Sequence, residues 1–242
     1  MWRITVRVPP TNPGAKLQNL YDAMWRAARG RIESGRIECD EILAKGVLDR
    51  RRGLTLIARP PLAGRQKVKR FLRELKGIEP EQYYYPASDL HMTVLCVQHA
   101  TVRHAQYSKK LEDFLAATDA ALRGAAPMRI KFRGVTASAG AVVAQGFVAD
   151  GTLDELREEL RRQLRSRKLT QGLDVRYRLE TAHMTLVRFR APLRDGRRFA
   201  AALRHARERF FGVMEIKNLA LVKNDWYMTR RQLEVLKRYR LR

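Results

Sequence analysis

The tripeptide His-Met-Thr occurs twice in this chain, and each copy runs into apolar sequence typical of a β-strand. The copies open the stretches 91–95, His-Met-Thr-Val-Leu, and 183–187, His-Met-Thr-Leu-Val. Because side chains alternate between the two faces of a strand, the histidine and threonine of each copy should share one face. The four residues so paired are His91 with Thr93 and His183 with Thr185. The chain is therefore predicted to carry one half of a site in each half of its sequence.

The predicted elements around the two motifs repeat in order, as strand, helix, motif strand, helix and strand. Around the first motif we predict a strand at 54–59, a helix through Val68 and Leu75, the motif strand at 90–97, a helix at 107–122 and a strand at 128–136. Around the second we predict strands at 141–148 and 173–179, a helix from 152 to 167, the motif strand at 182–189 and a helix at 196–211. Two strands, near 213–223 and 233–241, close the chain. This order predicts an α+β fold with two pseudo-symmetric lobes, each an antiparallel sheet with packed helices, and a cleft between them.

Residues 1–50 precede this repeat and are predicted to form an extension packed on the main body at 51–242. Residues 1–10 alternate like a short strand, and 16–29 have the apolar spacing of an amphipathic helix. A further helical piece is predicted at 38–48.

The chain is strongly basic, with 49 Lys and Arg against 25 Asp and Glu and a net charge of +24. Such an excess attracts polyanions, so nucleic acid is the expected partner and a phosphate-bearing small molecule the lesser option. A merely arginine-rich composition is the alternative, because the basic residues are spread along the chain. No apolar run is long enough to span a membrane, and neither a signal peptide nor a disulfide pattern is evident. We therefore predict a soluble cytoplasmic protein, with a monomer as the working expectation.

Two histidines on matching strands suit displacement at phosphorus. The attacking and leaving oxygens lie on opposite sides of the phosphorus atom, so one group must accept a proton and another must donate one. Imidazole can do either near neutral pH. The threonine hydroxyls can donate to non-bridging phosphate oxygens, where charge develops. This scheme requires no metal and no cofactor, and it leaves open which histidine is the acid.

The paired His-hydrophobic-Thr-hydrophobic motifs resemble those of the 2H phosphoesterase superfamily, in particular its 2′-5′ RNA ligase-like members of the bacterial RNA cyclic phosphodiesterase type. The resemblance covers residues 53–242. It implies a bilobal fold with the active site between the lobes, and metal-independent chemistry on 2′,3′-cyclic or 2′-5′ phosphodiesters of RNA ends or nucleotides. It also implies catalytic roles for His91 and His183 and phosphate binding by Thr93 and Thr185. Residues 1–50 are a departure from the usual family core.

Other residues are secondary candidates. Tyr85, in the aromatic loop 83–85, and Trp226 are predicted substrate contacts that could stack a base, the alternative being loops packed on a lobe. Strict alternation places Arg188 opposite His183, outside the site, and Cys96 on the buried face with Met92. His99 lies outside both motifs and is predicted to be structural or exposed.

Two further functions remain open at this stage. An RNA-binding module with a phosphate pocket and no turnover would explain the charge, and an enzyme acting on a small phosphorylated sugar would explain the motifs. Two proton-transfer groups favour an enzyme, because binding alone does not need them. The direction of the reaction, hydrolysis or ligation, cannot be chosen from the residues.

Overall fold

The computed structural model describes residues 13–148 and 150–242, and in these ranges seven α-helices pack on a nine-stranded sheet. The helices are α1 Pro13–Glu33, α2 Glu41–Lys45, α3 Leu62–Ile78, α4 Ala105–Ser108, α5 Leu111–Leu122, α6 Thr152–Ser166 and α7 Gly196–His205. The strands are β1 Arg52–Ala58, β2 Tyr83–Tyr84, β3 Met92–Thr101, β4 Met128–Ala137, β5 Ala141–Val148, β6 Ala182–Arg188, β7 Phe210–Ile216, β8 Asn218–Asn224 and β9 Glu234–Arg240. A 3₁₀ turn at Ala206–Glu208 ends α7, so the helix predicted to reach residue 211 stops earlier.

The sheet is antiparallel and has the strand order β7-β4-β5-β6-β3-β1-β8-β9, with β2 paired to β6. The two motif strands, β3 and β6, are neighbours at its centre. Each is the innermost of four strands: β3, β1, β8 and β9 on one side, and β6, β5, β4 and β7 on the other. This arrangement confirms the predicted α+β fold with two lobes.

The chain reaches these lobes by a route that the sequence did not indicate. β4 follows the first motif in the chain but pairs with β5 and β7 in the lobe of the second motif. β8 and β9 come last and return to pair with β1 in the first lobe. The single strand predicted at 213–223 is therefore wrong, because β7 and β8 lie in opposite lobes and only Lys217 separates them.

The strand predicted at 173–179 is also wrong. These residues form a loop between α6 and β6 in which Asp174 adopts a positive φ of 49°. The carboxylate of Asp174 accepts hydrogen bonds from Arg161 on α6, at 2.7 Å from Nε and 3.1 Å from Nη2. An ion pair to the helix, instead of a neighbouring strand, thus holds this segment.

α1 packs against α7, β4 and β5 through an apolar stripe that includes Tyr21, Ala28 and Ile32, which are almost fully buried. The Tyr21 hydroxyl donates to the Gly146 carbonyl at 3.1 Å, which ties the helix to β5. The helix predicted at 16–29 lies within α1, whereas the strand predicted at 1–10 lies outside the described residues. The division of the chain at residue 50 stays a prediction.

No described helix combines the length and the apolar character needed to cross a bilayer.

The two motif strands meet through little backbone pairing. Met92 of β3 and Met184 of β6 form their one registered pair within the described ranges, and both side chains are buried, at 2% and 0% exposed. The methionines of the two motifs therefore face the core at the lobe junction, as predicted from alternation. The histidines and threonines that flank them point to the opposite side.

Candidate active site

Bulges in β3 change which residues face the cleft. Where β3 pairs with β1, Val94 is an extra residue on β3 that has no partner on β1. Val97 is a second extra residue of the same kind. Each extra residue shifts the alternation by one position. Thr93, Cys96 and His99 therefore lie on one face, three residues apart, and all three line the same cleft. The prediction that Cys96 lies on the buried face with Met92 is wrong for this reason. His99, predicted to be structural or exposed, lines the cleft as well.

A matching bulge lies in β6. Val142 of β5 pairs with Val187 and the next residue, Val143, pairs with Thr185, so Leu186 is the extra residue. The shift brings Arg188 to the face that carries His183 and Thr185, and Arg188 lines the cleft with them. The prediction that Arg188 lies opposite His183 is therefore wrong.

One cleft at the lobe junction, with a volume of about 170 Å³, collects the residues of both motifs. His91 and Thr93 enter it from the first lobe, and His183 and Thr185 from the second. Tyr85 and Trp226, the two predicted substrate contacts, line it as well. The sequence-predicted set is thus brought together at one place, between the lobes.

The ring of His91 is held by the backbone just before it. Its Nδ1 lies 2.8 Å from the carbonyl oxygen of Asp89, and the side chain is 8% exposed. Because a carbonyl can only accept, Nδ1 must carry the hydrogen, so a neutral His91 has its lone pair on Nε2. Burial, with smaller contributions from Arg59 and Arg188, lowers the pKa of His91 from 6.5 to about 4.

His183 is held by a hydroxyl instead of a carbonyl. Its Nδ1 lies 2.7 Å from Oγ1 of Thr181. A hydroxyl can donate or accept, so His183 can carry its hydrogen on Nε2 when the threonine donates to Nδ1. Burial lowers the pKa of His183 from 6.5 to about 4, and the nearby charges of Arg157, His91 and Arg188 act in the same direction.

Arg188 brings a positive charge to the cleft. Its Nε donates to the Tyr85 hydroxyl at 3.1 Å, and no carboxylate forms an ion pair with it in the part of the chain that the structure describes. Tyr85 itself is 3% exposed, and its ring lies 6.2 Å from that of His91. Tyr85 therefore supports Arg188 and packs beside His91, with little of its ring open to a ligand.

Trp226 stands at the edge of the cleft among guanidinium groups. Those of Arg51 and Arg176 lie 4.7 and 4.9 Å from the centroid of its ring, and His99 meets its edge at 5.5 Å between centroids. The backbone nitrogen of Trp226 donates to Asp49 at 2.9 Å. Sequence reasoning missed Arg51 and Arg176, because one lies before the repeat and the other in the loop mistaken for a strand.

Comparison with known families agrees with this geometry. The family model of the 2′-5′ RNA ligase superfamily matches residues 64–226, a span that includes both motifs and Trp226. The chain belongs to that superfamily. This confirms the resemblance drawn from the paired motifs. Arg51 and Asp49 lie before the matched span.

Solved structures of similar fold include the protein TT0787 of Thermus thermophilus, which is 20% identical with a TM-score of 0.57 over 78% of this chain and 98% of that one. LigT of E. coli, crystallised with 3′-AMP, is 15% identical with a TM-score of 0.50 over 79% of this chain and 98% of LigT. A crystal structure described as a phosphoesterase is 14% identical, with a TM-score of 0.51 over 78% of this chain and 98% of that one. At these identities the likeness shows the superfamily's fold. No curated protein sequence matches the chain significantly.

The side chains that could bind a metal ion do not cluster in the part of the chain that the structure describes. Among residues 13–148 and 150–242, no three His, Cys, Asp or Glu side chains come together in a way that could hold an ion. The cleft instead presents the imidazoles and hydroxyls of both motifs together with the guanidinium of Arg188. Such a set can exchange protons with a bound phosphate and hold its charge.

We expect His91 and His183 to be neutral at pH 7 in the ligand-free protein and to take up protons only near pH 4. A pH titration of the imidazole signals by NMR, with His91→Gln and His183→Gln to assign them, measures this directly. Inorganic phosphate should raise both pKa values, because an anion between the rings stabilises the imidazolium form. Titration of both rings near 6.5 without phosphate would show that the cleft does not desolvate them.

Proposed function

We propose that this protein is a metal-independent phosphodiesterase acting on 2′,3′-cyclic or 2′-5′ phosphodiester bonds of RNA ends or nucleotides. The observation that carries the proposal is the convergence of His91 and His183 on one cleft that also holds the guanidinium of Arg188. Membership of the 2′-5′ RNA ligase superfamily supports the bond type.

The hydrogen bonds to the two rings support different roles, with His91 as the general base and His183 as the general acid. Neutral His91 has its lone pair on Nε2, because the Asp89 carbonyl holds the hydrogen on Nδ1. It is therefore suited to take the proton of the attacking water as the new oxygen–phosphorus bond forms. His183 would act as the imidazolium, because a phosphate bound in the cleft raises its pKa; Nδ1 then donates to the Thr181 hydroxyl and Nε2 carries the second hydrogen. It is suited to protonate the leaving ribose oxygen as its bond to phosphorus breaks, which leaves a phosphomonoester and a free hydroxyl.

Thr93, Thr185 and Arg188 would hold the phosphate during this exchange. In the transition state the non-bridging oxygens carry the growing charge, and donors already in place stabilise it without reorganisation. Because the two rings come from opposite lobes, they would also hold the phosphate between acid and base in the orientation that the reaction needs. Trp226 and Tyr85 are proposed as further contacts at the cleft wall, with Tyr85 acting through Arg188.

RNA ends are favoured over free nucleotides by charge. The net charge of +24 favours a polyanion, and Arg51 and Arg176 lie beside the cleft around Trp226. Guanidinium groups at that edge could contact the phosphate of a preceding nucleotide. An RNA-binding module without turnover is the second candidate, and it rests on the same charge. The proton-transfer pair favours the enzyme.

The test is turnover in excess chelator. We expect the metal-stripped protein to open 2′,3′-cyclic nucleotides, cyclic-ended oligoribonucleotides or 2′-5′ dinucleotides at a rate that EDTA leaves unchanged, because the imidazoles supply both proton transfers. Products resolved by chromatography identify the bond cleaved. Activity that EDTA removes and a divalent ion restores would contradict the metal-independent scheme. RNA binding with no turnover on the whole panel would favour the binding module.

A further inference from the structure

Arg157 on α6 is buried beneath the junction of the two lobes, with 1% of its side chain exposed. The motif strands themselves meet, within the described ranges, through a single backbone pair, Met92 with Met184. So short a ladder leaves their spacing weakly determined by backbone hydrogen bonds. The cleft chemistry requires a fixed spacing, because it depends on groups from both strands.

The guanidinium of Arg157 donates to backbone carbonyls on both sides of this junction. On the first side, Nε donates to Val94 at 2.8 Å and Nη2 to Thr93 at 3.3 Å. On the second, Nη1 donates to Glu180 at 3.0 Å and Nη2 to Thr181 at 2.9 Å. One planar group thus joins the first motif to the segment that leads into the second.

The hydrogen bond from Arg157 to Thr181 links the guanidinium indirectly to His183. The Thr181 carbonyl accepts from Arg157, and the Thr181 hydroxyl lies 2.7 Å from Nδ1 of His183. On the other strand, the residue held through its carbonyl is Thr93, whose side chain lines the cleft. Displacing the guanidinium would therefore move a group of each motif.

We propose that Arg157 is a positioning residue, which fixes the spacing of the two motif strands and the orientation of His183. The inference rests on the proposed function, since it assigns the geometry that function needs. A misplacement of about 1 Å can cost about 10²-fold in rate even when the altered residue does not touch the reacting atoms.

Packing alone does not account for a guanidinium at this place. The carboxylate of Asp154, with which it pairs, lies 3.5 Å away and is 65% exposed, so the charge is poorly compensated. Burial lowers the pKa of Arg157 to about 10, which still leaves it charged at neutral pH. Arg161, one turn along the same helix, makes closer ion pairs with Asp174 and Glu158. A methionine would fill a similar volume without the cost of burying charge.

The experiment compares Arg157→Met and Arg157→Lys with Leu164→Ala, a fully buried apolar position on the same helix. All three should lower thermal stability, so kcat is normalised to the folded fraction. With a 2′,3′-cyclic nucleotide, we expect kcat to fall about 10²-fold in both Arg157 variants. KM should change much less, and Leu164→Ala should keep the kcat of the unaltered protein. Arg157→Lys should not restore kcat, because a single ammonium group cannot donate to all four backbone carbonyls as the planar guanidinium does.

Imidazole NMR gives a readout that needs no turnover. Removing the charge in Arg157→Met should raise the pKa of His183, since Arg157, His91 and Arg188 are the charges that lower it. Arg157→Lys should keep that pKa low while still moving the ring signals. If the ring signals and pKa of His183 match those of Leu164→Ala in both variants, Arg157 is only structural and the inference fails. Failure of the unaltered protein to turn over any substrate would count against the proposed function, and the NMR result would still decide the role of Arg157.

Discussion

Replacing either His91 or His183 with alanine should lower kcat about 10²- to 10⁴-fold on a confirmed substrate, the usual effect of losing a positioned acid or base. The two rings line one cleft and are proposed to act on opposite sides of the same phosphorus atom. The double variant should be little slower than either single variant, because groups that act as a unit are not additive. Steady-state kinetics on all three variants measures both effects.

His205→Ala is the matched control, because His205 is exposed at the end of α7 and should be dispensable for kcat. Thermal unfolding of each variant shows whether a fall in kcat reflects a missing catalytic group or a smaller folded fraction. Near-normal kcat in both His91→Ala and His183→Ala would make the motif histidines structural. The protein would then be better described as an RNA-binding module.

Arg188→Met should give the second large effect, a fall in kcat/KM of about 10²- to 10³-fold, comparable to the loss of one donor to a developing oxyanion. The side chain faces the cleft beside both motifs and forms no ion pair with the described residues. Its charge is therefore available to a phosphate. Arg188→Lys should restore only part of the loss, since an ammonium does not reproduce the planar fork.

The control is Arg190→Met, two residues further on, where an exposed guanidinium donates to the Glu81 carbonyl at 2.7 Å. That variant should keep the kcat/KM of the unaltered protein. Equal activity of Arg188→Met and Arg190→Met would show that Arg188 does not bind the phosphate. Arg188→Met is expected to lower thermal stability, because it leaves the buried Tyr85 hydroxyl without the hydrogen bond from Arg188, so kcat/KM is normalised to the folded fraction.

The superfamily and the two-lobed fold could be predicted from local sequence. Each His-Met-Thr stretch has a period-two pattern over its first residues, and the pattern is strong because one face is buried. The repeat of strand, helix and motif strand came from apolar spacing alone. Both are short-range properties, so a single sequence contains them.

The predictions that failed depend on partners distant in the chain. Strict alternation was carried past the motifs, yet bulges opposite β1 and β5 turned Cys96 and Arg188 toward the cleft. A bulge is defined by the register of the neighbouring strand, which the strand's own residues do not reveal. The loop at 173–179 was mistaken for a strand because its ion pair to α6 is likewise a tertiary contact.

What the sequence by itself determined is the pair of motifs, the class of fold and the superfamily, since all three follow from patterns within single strands and helices. What only the tertiary structure decided is which other side chains join them. Arg157 reaches carbonyls on both sides of the lobe junction, and Arg51 reaches Trp226 from before the family core. The physical reason is that hydrogen bonds and cation–π contacts form across space, where residues far apart in the chain become neighbours only after the sheet has paired.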